Sequence, residues 1–242
     1  MSFDILITVS ITSIIQSIFG TGVLLFGTPL LLIFGYDFKY VLILLLPISL
    51  LINIFQLIGN RNEIDIIFYK RLVVYSLPLI ILCLYYSSSD TVNTSFIVGI
   101  FLMIISFKNN IQFIDSFIQS LLKNESIYLM IIGIVHGFTN LGGALLSGAI
   151  FSKKLSKEGK RATIAVCYLS MALIQLMTLM VTVDRITFLS FFNYYWFLGP
   201  GIFFIVEKYF YFRIDENKYT IYSNIFLLVI GLTLIIKTVL EH

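Results

Sequence analysis

The sequence predicts an all-α polytopic membrane protein with two inverted repeats, each a broken, re-entrant helical hairpin plus three transmembrane helices. Three observations lead to this fold class. Of the 242 residues, 59% are hydrophobic and 12% are charged, whereas soluble proteins average about half apolar and about a quarter charged residues. Apolar segments follow one another along the whole chain. A polar break that contains glycine occurs in two of these segments, at matching positions in the two halves.

Each repeat is predicted to contain one broken segment and three helices. In the first repeat, residues 1–108, the broken segment covers 5–34, and the helices cover 40–58, 68–86 and 92–107. In the second repeat, residues 125–242, the broken segment covers 126–151, and the helices cover 161–182, 186–206 and 219–239. Helices that cross a bilayer need about 20 apolar residues. The start of the chain lacks the basic region of a signal peptide, so we expect it to be a retained membrane segment.

Residues 109–124 are predicted to form an interfacial amphipathic linker between the repeats. Apolar residues recur there at helical spacing on one side, and polar residues occupy the other side. A helix of this kind lies along the membrane surface and does not cross it.

The two halves match at several positions, which indicates an internal duplication. The matches share residue type or polarity and keep the same order along the chain. They pair Gln16 with His136, Gly22 with Gly142, Leu25 with Leu145, Lys39 with Lys160, Ser49 with Ser170, Pro78 with Pro200 and Gly99 with Gly231.

The distribution of Lys and Arg predicts that both broken segments are hairpins. If every segment crossed the membrane, nine basic residues would face one side and seven the other. If both broken segments turn back, thirteen face one side, and only Lys39, Arg185 and Lys237 face the other. Cytoplasmic loops are enriched in Lys and Arg. We therefore predict six crossings, both termini outside, and hairpins that enter from opposite faces of the cytoplasmic membrane.

The two breaks are predicted to form a binding site for a small anion. Irregular backbone at membrane depth persists only where protein or a water-filled cavity covers it. The second helix of each hairpin would point its free N–H groups and positive dipole end toward the membrane centre. Glycine lets a ligand approach these amides closely. The predicted substrate-binding residues lie at the breaks or on facing helices, and they are Gln16, Gly20, Thr21, Gly22, Asn53, Gln56, His136, Thr139, Asn140, Gly142, Gly143 and Ser170.

Structural roles are an alternative for some of these residues. Glycine in membrane helices allows close packing, and Ser or Thr can bond to its own helix. Ser49, Asn53 and Gln56 share one helical face, which either lines a cavity or contacts another helix. His136 either has a structural role or titrates at depth, and no Asp or Glu lies in the middle of an apolar segment.

The chain contains no catalytic or metal-binding motif. It has no HExxH, GxSxG or P-loop sequence, so we expect no enzyme activity, no catalytic residues, no metal and no cofactor. Cys83 and Cys167 fall in apolar runs and are expected to be core residues. The net charge of +3 comes from basic residues between membrane segments, so nucleic acid is not an expected partner.

The duplicated unit resembles the sulfite exporter TauE/SafE family of bacterial and archaeal membrane transporters. Members carry a glycine-rich tract followed by proline. Gly20 to Gly22 followed by Pro29 fits the first copy, with Val23 and Leu24 where further glycines are typical. Gly142, Gly143 and Ala144 fit the second copy, in which Ala149 replaces the proline. The resemblance implies secondary transport of small sulfur-containing anions such as sulfite or organosulfonates.

The leading hypothesis is therefore a secondary transporter that exposes a midplane anion site alternately to the two sides. Its expected partners are a small anionic solute and the lipid bilayer. A channel or passive facilitator, and a membrane scaffold without transport, are the alternatives. The sequence leaves the substrate, the direction, the coupling ion and the oligomeric state open.

Overall fold

The computed structural model describes residues 2–58, 60–87, 93–107, 116, 118, 120–183, 194–210 and 216–240. Every regular element in these ranges is helical. The α-helices are α1 (Phe3–Phe19), α2 (Val23–Ile33), α3 (Phe38–Leu57), α4 (Ile66–Tyr75), α5 (Leu77–Ser87), α6 (Thr94–Ser106), α7 (Glu125–Thr139), α8 (Gly143–Phe151), α9 (Lys157–Thr182), α10 (Tyr195–Phe210) and α11 (Glu216–Leu240), with a 3-10 turn at Arg61–Glu63.

Three helical stretches in the described ranges are long and apolar enough to cross a membrane: Phe38–Leu57, Ile66–Ser87 and Lys157–Thr182. The outer surface is apolar, with Phe3, Val74 and Val181 more than half exposed. Polar side chains such as Thr12 and Asn53 are instead fully buried. Large exposed apolar surfaces need a non-aqueous partner, so this distribution fits a helical protein embedded in lipid.

The predicted helix 68–86 is interrupted at Ser76, between α4 and α5. Pro78 follows, and proline lacks the N–H that would continue the helical ladder. The Ser76 hydroxyl donates a hydrogen bond to the Leu129 carbonyl oxygen on α7 at 2.6 Å. Gly133 allows this close approach, because a Cβ at that position would lie 2.6 Å from the Ser76 carbonyl oxygen. The break in the span therefore lies in close contact with α7.

Each broken segment folds back on itself. In the second hairpin (α7 and α8), Lys153 just after α8 pairs with Glu125 at the start of α7 at 2.7 Å, and Tyr128 on α7 donates to the Leu145 carbonyl oxygen on α8 at 2.8 Å. In the first hairpin (α1 and α2), Tyr36 just after α2 donates to Asp4 near the start of α1 at 2.7 Å. The two helices of each hairpin are therefore antiparallel, and each hairpin opens at one end of the helical bundle.

The first hairpin opens at what we call the first end of the bundle. Ser2, Ile33 and the residues around Tyr36 lie there, together with the start of α10 and the last turns of α11. Two more hydrogen bonds connect these segments, from Tyr195 to the Ser2 carbonyl oxygen at 3.1 Å and from Lys237 to the Ile33 carbonyl oxygen at 3.2 Å.

The second hairpin opens at the opposite, second end. The starts of α4, α7 and α9 meet there with the end of α10. The polar contacts that join them are Lys153 to Asp65 at 3.4 Å, Lys153 to Glu125 at 2.7 Å, Asp65 N–H to the Thr163 hydroxyl at 2.9 Å, and the ion pairs Arg71–Glu125 and Arg161–Glu207.

Two helix pairs make extensive contacts in the bundle. Helix α3 packs against α9, and its residues Leu42 to Leu46 are almost completely buried. Helix α6 packs against α11. Of the predicted linker 109–124, residues 109–115 lie outside the described ranges. Ile118, which is described, is buried.

Candidate functional site

The turn of the first hairpin depends on two glycines. Gly20 ends α1 in the left-handed conformation (φ 79°), and its N–H donates to the Gln16 carbonyl oxygen at 2.8 Å. Gly22 lies against the side of α1, where a Cβ atom would be 2.8 Å from the Gln16 nitrogen and 3.0 Å from the Thr12 carbonyl oxygen. A side chain at Gly22 would push the two helices apart.

The turn of the second hairpin has the same geometry. Asn140 ends α7 in the left-handed conformation (φ 62°), and its N–H donates to the His136 carbonyl oxygen at 2.8 Å. A Cβ atom on Gly142 would lie 3.0 Å from the His136 nitrogen and 2.7 Å from the Ile132 carbonyl oxygen. Asparagine tolerates this backbone conformation better than most residues do. It can therefore occupy the position in the second turn that corresponds to Gly20 in the first.

Two of the predicted binding residues help to form the turns. The Gln16 side-chain oxygen accepts a hydrogen bond from the Val23 N–H, the first amide of α2, at 2.9 Å. The Thr139 hydroxyl accepts from the Leu141 N–H at 3.1 Å and donates to its own helix. Both side chains are almost fully buried. Their hydrogen bonds satisfy amides that the end of a helix would otherwise leave unpaired.

The two hairpins touch inside the bundle. The Asn140 side-chain amide donates to the Thr28 hydroxyl on α2 at 2.9 Å. Thr28 lies in the middle of α2, so the second turn sits beside this helix and does not meet the first turn end to end. Thr28 is completely buried. In the sequence, Thr28 stands out only as a hydroxyl residue in an apolar run close to a glycine break. Many threonines with a purely structural role show the same pattern.

Helices α3 and α9 each place a glutamine against one hairpin. Gln56 on α3 donates to the Gly20 carbonyl oxygen at 3.4 Å, and Gln175 on α9 donates to the His136 carbonyl oxygen at 3.4 Å. Asn53, one turn before Gln56, donates within α3 to the Ser49 carbonyl oxygen at 2.7 Å. The predicted set includes Gln56 but omits Gln175, although a glutamine in an apolar span was an available signal.

His136 is completely buried and faces an aromatic ring. The rings of His136 and Tyr168 meet edge to face, with centroids 6.4 Å apart. The Tyr168 hydroxyl also lies against the backbone of Gly143, where no Cβ would fit. The Gln175 side chain, which donates to the His136 carbonyl oxygen, also interacts with the imidazole. Tyr168 is absent from the predicted set because an aromatic residue in an apolar helix usually indicates packing.

Ser170 lies apart from the turns. Its hydroxyl is 2.9 Å from the Tyr69 hydroxyl on α4 and donates to the Val166 carbonyl oxygen on its own helix. The contacts described for Ser170 therefore connect α9 with α4. They account for a polar residue at this position in the span, and no ligand is needed to explain it.

The buried centre has polar groups, and none of the residues named above at the turns is Asp, Glu, Lys or Arg. The N-terminal turns of α2 and α8 lie beside the two hairpin turns, in the part of a helix that carries a partial positive charge, although the first amide of α2, Val23 N–H, is already bonded to Gln16. Val23 and Leu24 are almost inaccessible. Such an arrangement can hold a small, desolvated anion by amide and side-chain hydrogen bonds.

Comparison with known protein families gives a match over nearly the whole chain. The family model described as "Sulfite exporter TauE/SafE" matches residues 5–234. No curated protein and no solved structure matches the chain.

Proposed function

The chain belongs to the sulfite exporter TauE/SafE family, and from this premise we propose that it is a secondary transporter of sulfite or an organosulfonate. Membership makes the protein a membrane transporter of sulfite-type anions. The proposal adds that the anion binds between the two turns and is carried by alternating access. The contact from Asn140 to Thr28 is the observation that carries it, because it brings both broken segments together at a buried position.

The hairpins are re-entrant and enter the membrane from opposite faces in this proposal. The Tyr36–Asp4 contact supports it for the first hairpin, since the two ends of that segment lie together. The Lys153–Glu125 ion pair supports it for the second hairpin in the same way, at the other end of the bundle. Helix α3, α4 with α5, α6, α9, α10 and α11 then make the six crossings.

The charges at the two ends agree with a cytoplasmic second end. Lys39 and Lys237 belong to the first end, and the group from Lys153 to Arg161 belongs to the second. Lys108, Arg185 and Arg213 of the sequence count lie outside the described ranges. Basic residues concentrate on the cytoplasmic side. The first end of the bundle, where the first hairpin opens, would therefore be external.

A topology experiment tests this orientation. Lys39→Cys and Lys157→Cys would be labelled in intact cells with a membrane-impermeant maleimide. The native cysteines, Cys83 and Cys167, are both free and buried, so background labelling should be low. We expect the reagent to label position 39 alone, and position 157 only after the cells are opened. Labelling of both positions from outside would contradict the inverted arrangement.

Burial of the site favours a carrier over a channel. Gln16, Thr28, His136 and Asn140 are each at most 3% exposed, so the turns are closed to both ends in this state. A carrier passes through closed states of this kind, whereas an open channel needs a continuous path. Proteoliposomes loaded with sulfite should therefore show saturable uptake and counterflow. Current that does not saturate with sulfite concentration would indicate a channel instead.

The substrate class is tested by ligand-induced stabilisation. Purified protein would be melted with sulfite, sulfate, thiosulfate, taurine, sulfoacetate and short carboxylates. We expect sulfite or an organosulfonate to raise the melting temperature, and Asn140→Ala to remove this increase. Asn124→Ala is the matched control, because Asn124 caps α7 at the second end, away from both turns. If no anion stabilises the protein, the proposed site is wrong.

A further inference from the structure

Helix α3 carries two amide side chains whose orientation is fixed by the backbone. The Asn53 amide nitrogen is 2.7 Å from the Ser49 carbonyl oxygen, and the Gln56 amide nitrogen is 3.4 Å from the Gly20 carbonyl oxygen. A backbone carbonyl can only accept hydrogen bonds, so the NH₂ group of each side chain must face it. The side-chain oxygens of Asn53 and Gln56 therefore point elsewhere.

These two oxygens are buried acceptors that need a ligand. Asn53 is 0% exposed and Gln56 is 2% exposed. Neither oxygen has a hydrogen-bond partner among the described residues. A buried polar atom without a partner is costly and rare in folded proteins. Because the two residues are three positions apart on one helix, their side chains lie on the same face.

The surroundings of this face favour a cation. Gly20 caps the C-terminal end of α1, where helical carbonyl groups lack intrahelical partners and the dipole is negative. The Gly20 carbonyl oxygen accepts from the Gln56 NH₂ group and has a second lone pair for a ligand. An anion would be repelled by amide and carbonyl oxygens, whereas a hard cation takes oxygen ligands. The amides of α2, which favour an anion, begin on the other side of the same turn.

We propose that Asn53, Gln56 and the carbonyl end of α1 form a binding site for an alkali-metal cation. All of these ligands are neutral, and no carboxylate lies in the middle of a span. A neutral set of oxygens suits a single positive charge better than a divalent ion. The cation would lie next to the proposed anion and offset its charge. Its role as a coupling ion rests on the proposed transport function, but its binding does not.

Cation binding is tested on the purified full chain without any sulfur anion. The protein in detergent would be titrated with radioactive ²²Na⁺ in choline gluconate buffer, with K⁺ and Li⁺ as competitors. We expect saturable binding of one Na⁺ per chain, and a rise in melting temperature when Na⁺ replaces choline. If neither Na⁺ nor K⁺ binds or stabilises the wild-type protein, the proposed cation site is wrong.

Substitutions at Gln56 locate the cation. Gln56→Leu removes the oxygen and should weaken Na⁺ binding by roughly tenfold or more. Gln56→Glu keeps the shape and adds a negative charge, so it should strengthen Na⁺ binding. Ser76→Ala is the matched control, because it also removes a buried hydrogen bond to a backbone carbonyl, but between the α4–α5 break and α7. Unchanged Na⁺ affinity in both Gln56 variants would overturn the assignment.

The outcome separates the two proposals. Anion stabilisation in Na⁺-free choline buffer tests the anion site alone. A protein that binds sulfite but no alkali cation would retain the proposed transport function and lose the cation site. A protein that binds Na⁺ but no sulfur anion would give the opposite result.

Discussion

The backbones of Gly99 on α6 and Gly231 on α11 are in direct contact. A Cβ atom on Gly99 would lie 3.1 Å from the Gly231 carbonyl oxygen, and one on Gly231 would lie 3.0 Å from the Gly99 carbonyl oxygen. Small residues allow membrane helices to approach this closely. These glycines are also an equivalent pair in the predicted duplication, so the contact joins like positions of the two halves.

We predict that Gly99→Ala destabilises the α6–α11 pair. The added methyl group would lie 2.8 Å from a side-chain carbon of Ile235, so one helix must shift. Overpacking of this kind typically costs about 1–3 kcal/mol. The melting temperature in detergent should fall. Gly201→Ala is the control, because a Cβ at Gly201 meets no atom within 4 Å; equal losses in both variants would rule out the contact as the cause.

Gln16 is expected to affect folding and transport separately. Gln16→Leu leaves the buried Val23 amide without its acceptor, at a cost of about 1–3 kcal/mol. Gln16→Glu keeps an acceptor oxygen but places a negative charge beside the proposed anion. The first variant should melt at a lower temperature than the second. Sulfite uptake into proteoliposomes should be lost in the glutamate variant even though the protein remains folded; normal uptake would place the anion elsewhere.

The duplication makes a specific prediction for His136, which matches Gln16 in the first repeat. The backbone carbonyl oxygen of each residue accepts a hydrogen bond from the N–H of the residue that ends its helix. We expect His136→Gln to retain sulfite uptake and its pH profile, because glutamine is already used at the corresponding position. His136→Leu should lose uptake. If the glutamine variant is inactive while still binding sulfite, proton transfer at His136 would be required.

Tyr128 is predicted to stabilise the second hairpin through its hydroxyl group. Tyr128→Phe keeps the ring but removes the hydrogen bond to the buried Leu145 carbonyl oxygen. Net contributions of such bonds are about 1 kcal/mol, and more where a buried partner stays unpaired. The measurement is thermal unfolding in detergent. Tyr85→Phe, at an exposed position on α5, should leave the melting temperature unchanged.

An all-helical fold was predictable because apolar segments and glycine breaks dominate this sequence. The predicted break at residues 20–22 separates α1 from α2, and the one at 140–143 separates α7 from α8. The interruption at Ser76 was not predicted, although Pro78 within the predicted helix 68–86 was an available signal. Membership of the TauE/SafE family confirms the resemblance drawn from the glycine tracts.

The candidate site was less predictable than the helices. Which polar side chains cap a turn is decided by the folded geometry, so the bond from Gln16 to Val23 has no separate sequence signal. Tyr168 meets His136 only because α9 packs beside the second hairpin. The roles of the twelve predicted residues in binding an anion stay a prediction for the experiments above.

Each hairpin packs against helices of the other half of the chain. Gly133 and Gly137 allow α7 to pack closely against α5, which belongs to the other repeat. Gly199 on α10 likewise lies in close contact with Ser13 of α1. A body that moves as one piece would therefore combine segments from both repeats. In the proposed transport cycle, the boundary between moving parts would therefore run through each predicted repeat, between its hairpin and its own spans, and would not follow the boundary of the predicted duplication.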